Sequence, residues 1–517
     1  MKRRTIVRLG AALLALGVSG SALVAGVQAQ DAPTEITMLT LGNKPTNGRL
    51  EAMLEKLNER LLQQANAKLD LFYIEWADWQ TQYNVQLLSG NDNVDLIATA
   101  TDWLFGWENA EKGAFLPLSE EMLKAHAPKT WAQVEADGHW DLTKLNGQIY
   151  FMPEDNYTQY TNHGFFYRGD WAREAGFENG EITKFEDFTK YFEWIKANKP
   201  DVYPWDASNS ASKDLVLSAY VQNNTDLQTL QQVTAGNFFI YQTRAADPYK
   251  ITSYLIEGDE LLAAAELAKK WNEIGVWRED AMNYDGETRE EFYAGRSGAD
   301  QHHTQTYLTQ IVDNMNTKQP GSDPKFFWWG QNNGNFFKDI FTHGAMAVSA
   351  NSRNPEKAIE VYDLIRNDKE NYMLFNFGIE GTDYILTAEG KLGYPEGYDS
   401  STDGLGTNYW WGRMDEFEPP KTSDAPNKAE IIAALDAKAK DYPYSTLIVS
   451  KTAIEPTLAA VGGVLSEYLP QLAYGKFEDP AAAIAEMREK LKAVGWDEAA
   501  ASVQADMDAW ATARGLK

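Results

Sequence analysis

Residues 34–98 switch repeatedly between two hydrophobic periods, and that switching restricts the fold more than any other feature of the chain. Ile36–Leu41 reads as a short buried strand closed by the Gly42-Asn43 break. Leu50, Met53, Leu54, Leu57 and Leu61 then recur at helical spacing, so an amphipathic helix is expected near 47–67. Leu69–Ile74 is the next strand, a helix through Tyr83, Leu87 and Leu88 ends at Gly90, and Val94–Ala98 is a third strand. Strands joined by helices through short loops imply right-handed crossovers and a parallel sheet.

A second α/β pattern begins further along. Leu145-Asn146-Gly147-Gln148 has the chemistry of a tight hairpin turn leading into Ile149–Pro153. Phe165–Tyr167 reads as a strand, 170–175 as a short helix, and Thr183-Lys184-Phe185-Glu186 as a capping box for a helix to Ala197. Helices are also predicted at 261–274, 355–366, 429–440, 454–472, 480–494 and 497–513. Between them, 392–427 is a long irregular stretch rich in Gly, Pro, Asp, Tyr and Trp, and there is no fixed-period repeat.

The first residues have a different character. Lys2, Arg3, Arg4 and Arg8 precede an apolar run from Leu9 to Val27, and Val27-Gln28-Ala29 offers small residues where a signal peptidase cuts. Residues 1–29 are therefore expected to be a cleaved signal peptide, with no membrane insertion afterwards, since no later run has the length of a span. The chain contains no cysteine, which excludes disulfides, thiolate metal sites, a catalytic thiol and a lipid anchor through Cys. A net charge of −28, more negative once the signal is removed, argues against nucleic acid or an anionic membrane as partner and tilts toward neutral ligands.

Motifs for chemistry are missing. There is no phosphate-binding P-loop, no nucleophile elbow and no His-Glu-x-x-His helix, and Gly404-Leu405-Gly406 lacks the rest of a dinucleotide fingerprint. His302-His303 are adjacent, which sends their side chains to opposite faces of a strand, so no metal and no cofactor is expected, although His303 could face a ligand. Glu154-Asp155 is the carboxylate pair to test for glycosidase chemistry.

With 17 Trp, 25 Tyr and 22 Phe, several in polar loops, the chain has the aromatic faces that stack on sugar rings beside carboxylates and amides that bond hydroxyls. In open α/β sheets ligands sit beyond the carboxyl ends of the strands. That rule selects Trp76, Asp78 and Trp79 after the second strand, and Asp102 and Trp103 after the third. Glu154, Asp155 and Asn156 follow the hairpin, Trp205 follows Tyr203-Pro204, and Trp328-Trp329 precede a Gly/Asn loop. Tyr409, Trp410 and Trp411 form an aromatic knot that could instead pack the long loop on itself.

Several segments in order resemble the carbohydrate-binding subunits of ABC importers, the family-1 extracellular solute-binding proteins, specifically their large oligosaccharide-binding type. They are Leu88-Ser89-Gly90 with Val94-Asp95-Leu96-Ile97, Gly113–Leu118, Leu145–Pro153 and Glu291–Ala299. Asn354–Ala358, Asn376–Gly381 and Tyr474–Pro480 carry the narrower likeness. The resemblance implies a two-lobed, periplasmic-binding-protein-like α/β fold with hinge crossovers and extra C-terminal helices. Its expected lobes are 34–153 with 287–345, and 157–286 with 350–517. It further implies a protein that captures a carbohydrate and passes it to permease subunits without catalysis. The export signal without a lipid-attachment cysteine makes it a free periplasmic protein, expected to be monomeric. A secreted glycoside hydrolase or lyase, or a binder of a non-sugar solute such as a peptide, remain the alternatives.

Overall fold

The computed structural model describes residues 32–76, 78–90, 93–155, 163–208, 214–284, 286, 288–338, 340–399 and 402–517. Eight strands build its two principal sheets: β1 (Thr34–Leu41), β2 (Ala67–Ile74), β3 (Leu96–Thr99), β4 (Met152–Pro153), β5 (His163–Arg168), β6 (Ala299–His303), β7 (Pro324–Trp328) and β8 (Ala345–Val348).

The first lobe forms where the sequence periods predict it. β1 pairs in parallel with β2 and β3 around the helices Arg49–Ala65 and Trp79–Leu88, and the sheet order is β2-β1-β3-β8-β4. Period-two alternation divides β1 between two cores: Ile36 and Met38 face one, Leu39 and Leu41 the other. Leu50, Met53, Leu57 and Leu61 are the buried stripe of the first helix. Asn146 and Gly147 both take positive φ, which is what a two-residue hairpin turn between Lys144–Leu145 and Gln148–Ile149 requires.

The second lobe is organised differently. β5 lies between β6 and β7, and both pairings are antiparallel. Helices cover one face, giving a core of Phe165, Phe188, Tyr191, Phe192, Trp205 and Trp271. The opposite face packs Phe166, Phe292, Tyr307 and Phe326. A three-stranded antiparallel unit spans residues 227–252, and against it pack the helices Glu260–Ile274, Glu455–Ala473, Pro480–Ala493 and Trp496–Ala513. Among the described residues no helix is long and apolar enough to cross a membrane.

These pairings move the expected lobe boundaries. Residues 287–345 do not return to the first lobe: β6 and β7 hydrogen-bond along both edges of β5, and only β8 rejoins β3 and β4. Nor does 350–517 belong wholly to the second lobe. The helices Pro355–Asn367 and Lys369–Phe377 bury Ala358, Val361, Tyr362, Ile365, Tyr372 and Phe375 in the first-lobe core, where Tyr409 and Trp411 join them. The chain thus passes between lobes after β4, before β8, and again between Phe417 and Ala425. The capping box at Thr183–Glu186 is also absent, because a 3₁₀ turn at Phe185–Asp187 precedes the helix Phe188–Asn198 and no side chain caps it. At the rim, Glu108 of the first lobe pairs with Lys451 of the second, and Lys112 with Glu455 at 3.1 Å.

Candidate ligand cleft

The carboxyl ends of β2 and β3 deliver three tryptophans to one place. Trp103 stacks with Trp76 at 6.3 Å between ring centroids and meets Trp79 edge-on at 5.6 Å. Trp410 completes the row from the long loop, 5.0 Å from Trp103. Trp76 stands 41% exposed, the open end of this wall. Asp78, beside it, is exposed at the start of the helix Trp79–Leu88.

The crossing that leads into β8 lies against the wall. Trp103 Nε1 donates to the His343 carbonyl at 3.0 Å, and His343 Nδ1 donates to Asp102 Oδ2 at 2.7 Å. Among the described residues neither Asp102 Oδ1 nor Trp410 Nε1, both buried, has a hydrogen-bond partner, one an acceptor and the other a donor. Orphaned groups of this kind cost on the order of 1–3 kcal/mol each, which a bound hydroxyl or water would relieve.

Glu154 and Asp155 face different partners. Glu154 is held by Arg413 at 2.7 Å, and burial pushes its carboxyl up while Arg413 pulls it down. Asp155 Oδ1 accepts from His139 Nδ1 at 2.5 Å, and the His139 ring stacks on Phe341 at 3.7 Å. Asp137, His139 and Asp155 bring their donor atoms within 4.8 Å of one another, but His139 and Asp155 already satisfy each other and Asp137 is exposed. Asn156 lies outside the described residues.

On the second lobe, His163 at the start of β5 meets His303 at 4.4 Å and stacks on Trp329 at 6.0 Å. Five expected ligand residues prove to be core or face elsewhere, Trp329 among them, 3% exposed in the second-lobe core against Phe165. Trp205 is 1% exposed, wedged against Phe165 and Trp277, because the second-lobe helices close over it. Trp328 and Trp329 do not act as a pair: alternation turns Trp328 to the Phe326 and Tyr307 face, where its Nε1 donates to Thr304. In the same way Tyr409 and Trp411 point into the first-lobe core and only Trp410, between them, faces the wall. His343, Arg413, His163 and His139 were missed by the sequence reading, since each is a lone polar residue without periodic context.

Burial makes the histidines pH-sensitive. His163, His302 and His303 are all pushed down, His302 to about 2, mainly by desolvation, with Arg289 and the neighbouring rings adding repulsion. Unfolded histidine takes up a proton near pH 6.5 whereas these stay neutral in the fold, so each removes stability as pH falls below about 6.5. Asp300, raised to about 7, and Asp214, raised to about 6, act in the opposite sense, because their buried carboxyls are relieved by protonation. His302→Gln therefore isolates one contribution: its stability should fall less steeply than wild type from pH 7 to pH 5, by about 1 kcal/mol per pH unit on average. Calorimetric scans give the two slopes, and equal slopes would contradict a buried neutral His302.

Comparison with known proteins fits this geometry. Residues 444–512, within the C-terminal helical region, match a family described as a domain of unknown function, DUF3502. A carbohydrate ABC transporter substrate-binding protein of Streptococcus pneumoniae serotype 4 is 24% identical over 503 residues, 95% of this chain and 93% of that protein. The chain is thus similar over nearly its whole length to a carbohydrate ABC transporter substrate-binding protein. The N-glycan transport solute binding protein NgtS of Streptococcus pneumoniae superposes on this chain with a TM-score of 0.73 at 20% identity, covering 92% of this chain and 98% of NgtS. NgtS in complex with Man5GlcNAc gives 0.69 at 20% identity, over 94% and 100%. The two-lobed solute-binding fold extends over nearly the whole described chain.

Proposed function

We propose that this protein captures an oligosaccharide between its lobes against the Trp76–Trp103–Trp410 wall and delivers it to the permease of an ABC importer. The observation that carries this reading is the wall itself, set beside the unpartnered Asp102 Oδ1 and Trp410 Nε1. Stacked rings take the apolar faces of sugars, and the orphaned donor and acceptor suit a hydroxyl. The protein relatives named above, one a carbohydrate transporter component and one crystallised with Man5GlcNAc, support the same ligand class.

The protein acts without catalysis on this reading. Glu154 and Asp155, the adjacent carboxylates to test for glycosidase chemistry, are committed to Arg413 and His139, and the Asp155 side chain is fully buried. Residues 1–29 serve as an export signal, and the mature chain works as a free periplasmic monomer, without nucleic acid, membrane insertion or cofactor.

Tryptophan fluorescence of the mature protein, titrated with gluco-, xylo-, manno- and N-acetylglucosamine-containing oligosaccharides, should show a saturable change with at least one of them. Mass spectrometry after prolonged incubation should recover that sugar unchanged. Shortened products would replace this reading by a hydrolase or lyase, and saturation by a peptide panel instead would replace the ligand class.

A further inference from the structure

The loop that carries Trp410 has almost no regular structure, yet its middle is tightly fixed. Arg413 Nε donates to Glu154 Oε1 at 2.7 Å and Nη2 reaches Oε2 at 3.4 Å. The Arg413 backbone amide bonds the same carboxylate. Glu154 is 5% exposed, and its own N–H donates to the Gly344 carbonyl at 2.7 Å. Gly344 leaves no space there: a Cβ would stand 2.3 Å from the Trp410 carbonyl and 2.9 Å from Glu154 Oε2. Two interlobe crossings and the loop therefore meet at one point, with a charge pair at its centre.

We infer that the Glu154–Arg413 pair is a clamp that positions Trp410 as a ring of the ligand wall and ties that ring to the crossings between the lobes. Tyr409 and Trp411 already anchor the loop in the first-lobe core. What the pair adds is the placement of the residue between them. Removing Arg413 leaves the buried Glu154 without its main compensating charge and deletes the bonds that fix the loop, so Glu154 takes up a proton or moves toward water and the loop is released. Arg413 is then a positioning residue, and Glu154 reaches the ligand only through it. This inference rests on the cleft assignment proposed above.

The test uses the full mature protein in two arms. Without ligand, the emission of Trp410 is obtained as the difference between each protein and its Trp410→Phe counterpart. Arg413→Ala should shift that difference spectrum to the red, and Arg413→Lys should restore it in part. With the oligosaccharide that binds wild type (Man5GlcNAc is the first probe), Arg413→Ala should weaken affinity about tenfold, the loss of one stacked aromatic. In a Trp410→Ala background it should add nothing further. An unchanged difference spectrum, or additive losses, would overturn the clamp. If Arg413→Ala does not fold, Glu154→Gln is read in the same two arms. Absence of binding by wild type would count against the ligand class, while the ligand-free spectra still decide the clamp.

Discussion

Trp103→Ala is expected to weaken oligosaccharide binding by about 2–4 kcal/mol, or roughly thirty- to a thousandfold, the range of a central aromatic anchor. The size follows from position. Trp103 alone touches every member of the wall: Trp76, Trp79 and Trp410 at 6.3, 5.6 and 5.0 Å, and the His343 ring at 6.3 Å. Its indole N–H also holds the His343 carbonyl, so truncation frees the crossing as well as the stacking face. Trp76→Ala, at the exposed rim, should cost less. Calorimetric titration reads both, and an affinity for Trp103→Ala within twofold of wild type would remove Trp103 from the ligand site. Because Trp103 is only half-buried, thermal stability should fall less than for a fully buried tryptophan such as Trp411.

Trp411→Ala gives the opposite pattern, a loss of about 3–5 kcal/mol in folding stability, as for other large aromatics removed from a core. Trp411 is 0% exposed, with Tyr409 at 4.6 Å, Phe375 at 5.6 Å and Tyr362 at 6.0 Å around it. The residue before it in sequence packs instead on Trp103. Trp410→Ala should therefore spare stability and impair binding, while Trp411→Ala should lower the denaturant midpoint sharply. Chemical denaturation of the two variants side by side decides the matter, and a reversed ranking would mean that the loop runs in the other register.

That pair also marks the limit of what the sequence can convey. Three consecutive aromatics in an irregular loop give no phase, so nothing in the sequence separates the one that meets Trp103 from the two that enter the core. That Trp76, Asp102 and Trp103 lie together follows from the local β1–β3 pattern, since the strand ends place both loops side by side. β6 was illegible for the converse reason: Ala-Asp-Gln-His-His has no apolar alternation, and its place beside β5 is set by hydrogen bonding to a strand more than a hundred residues earlier. The lobe boundaries went astray at that same strand. His343 and Arg413 show the remaining gap, since each gains meaning only from Asp102 and Glu154, which are far away in sequence. Trp205 was misjudged because a Trp after a Tyr-Pro turn looks the same whether helices later cover it or not.

The most direct measurement of the central claim is calorimetric titration of the mature protein and of Trp103→Ala with the same oligosaccharide panel. The account predicts saturable binding of one oligosaccharide per chain for wild type, with that binding largely lost in the variant while its fold remains intact. No binding by any oligosaccharide, or equal binding by both proteins, would contradict it.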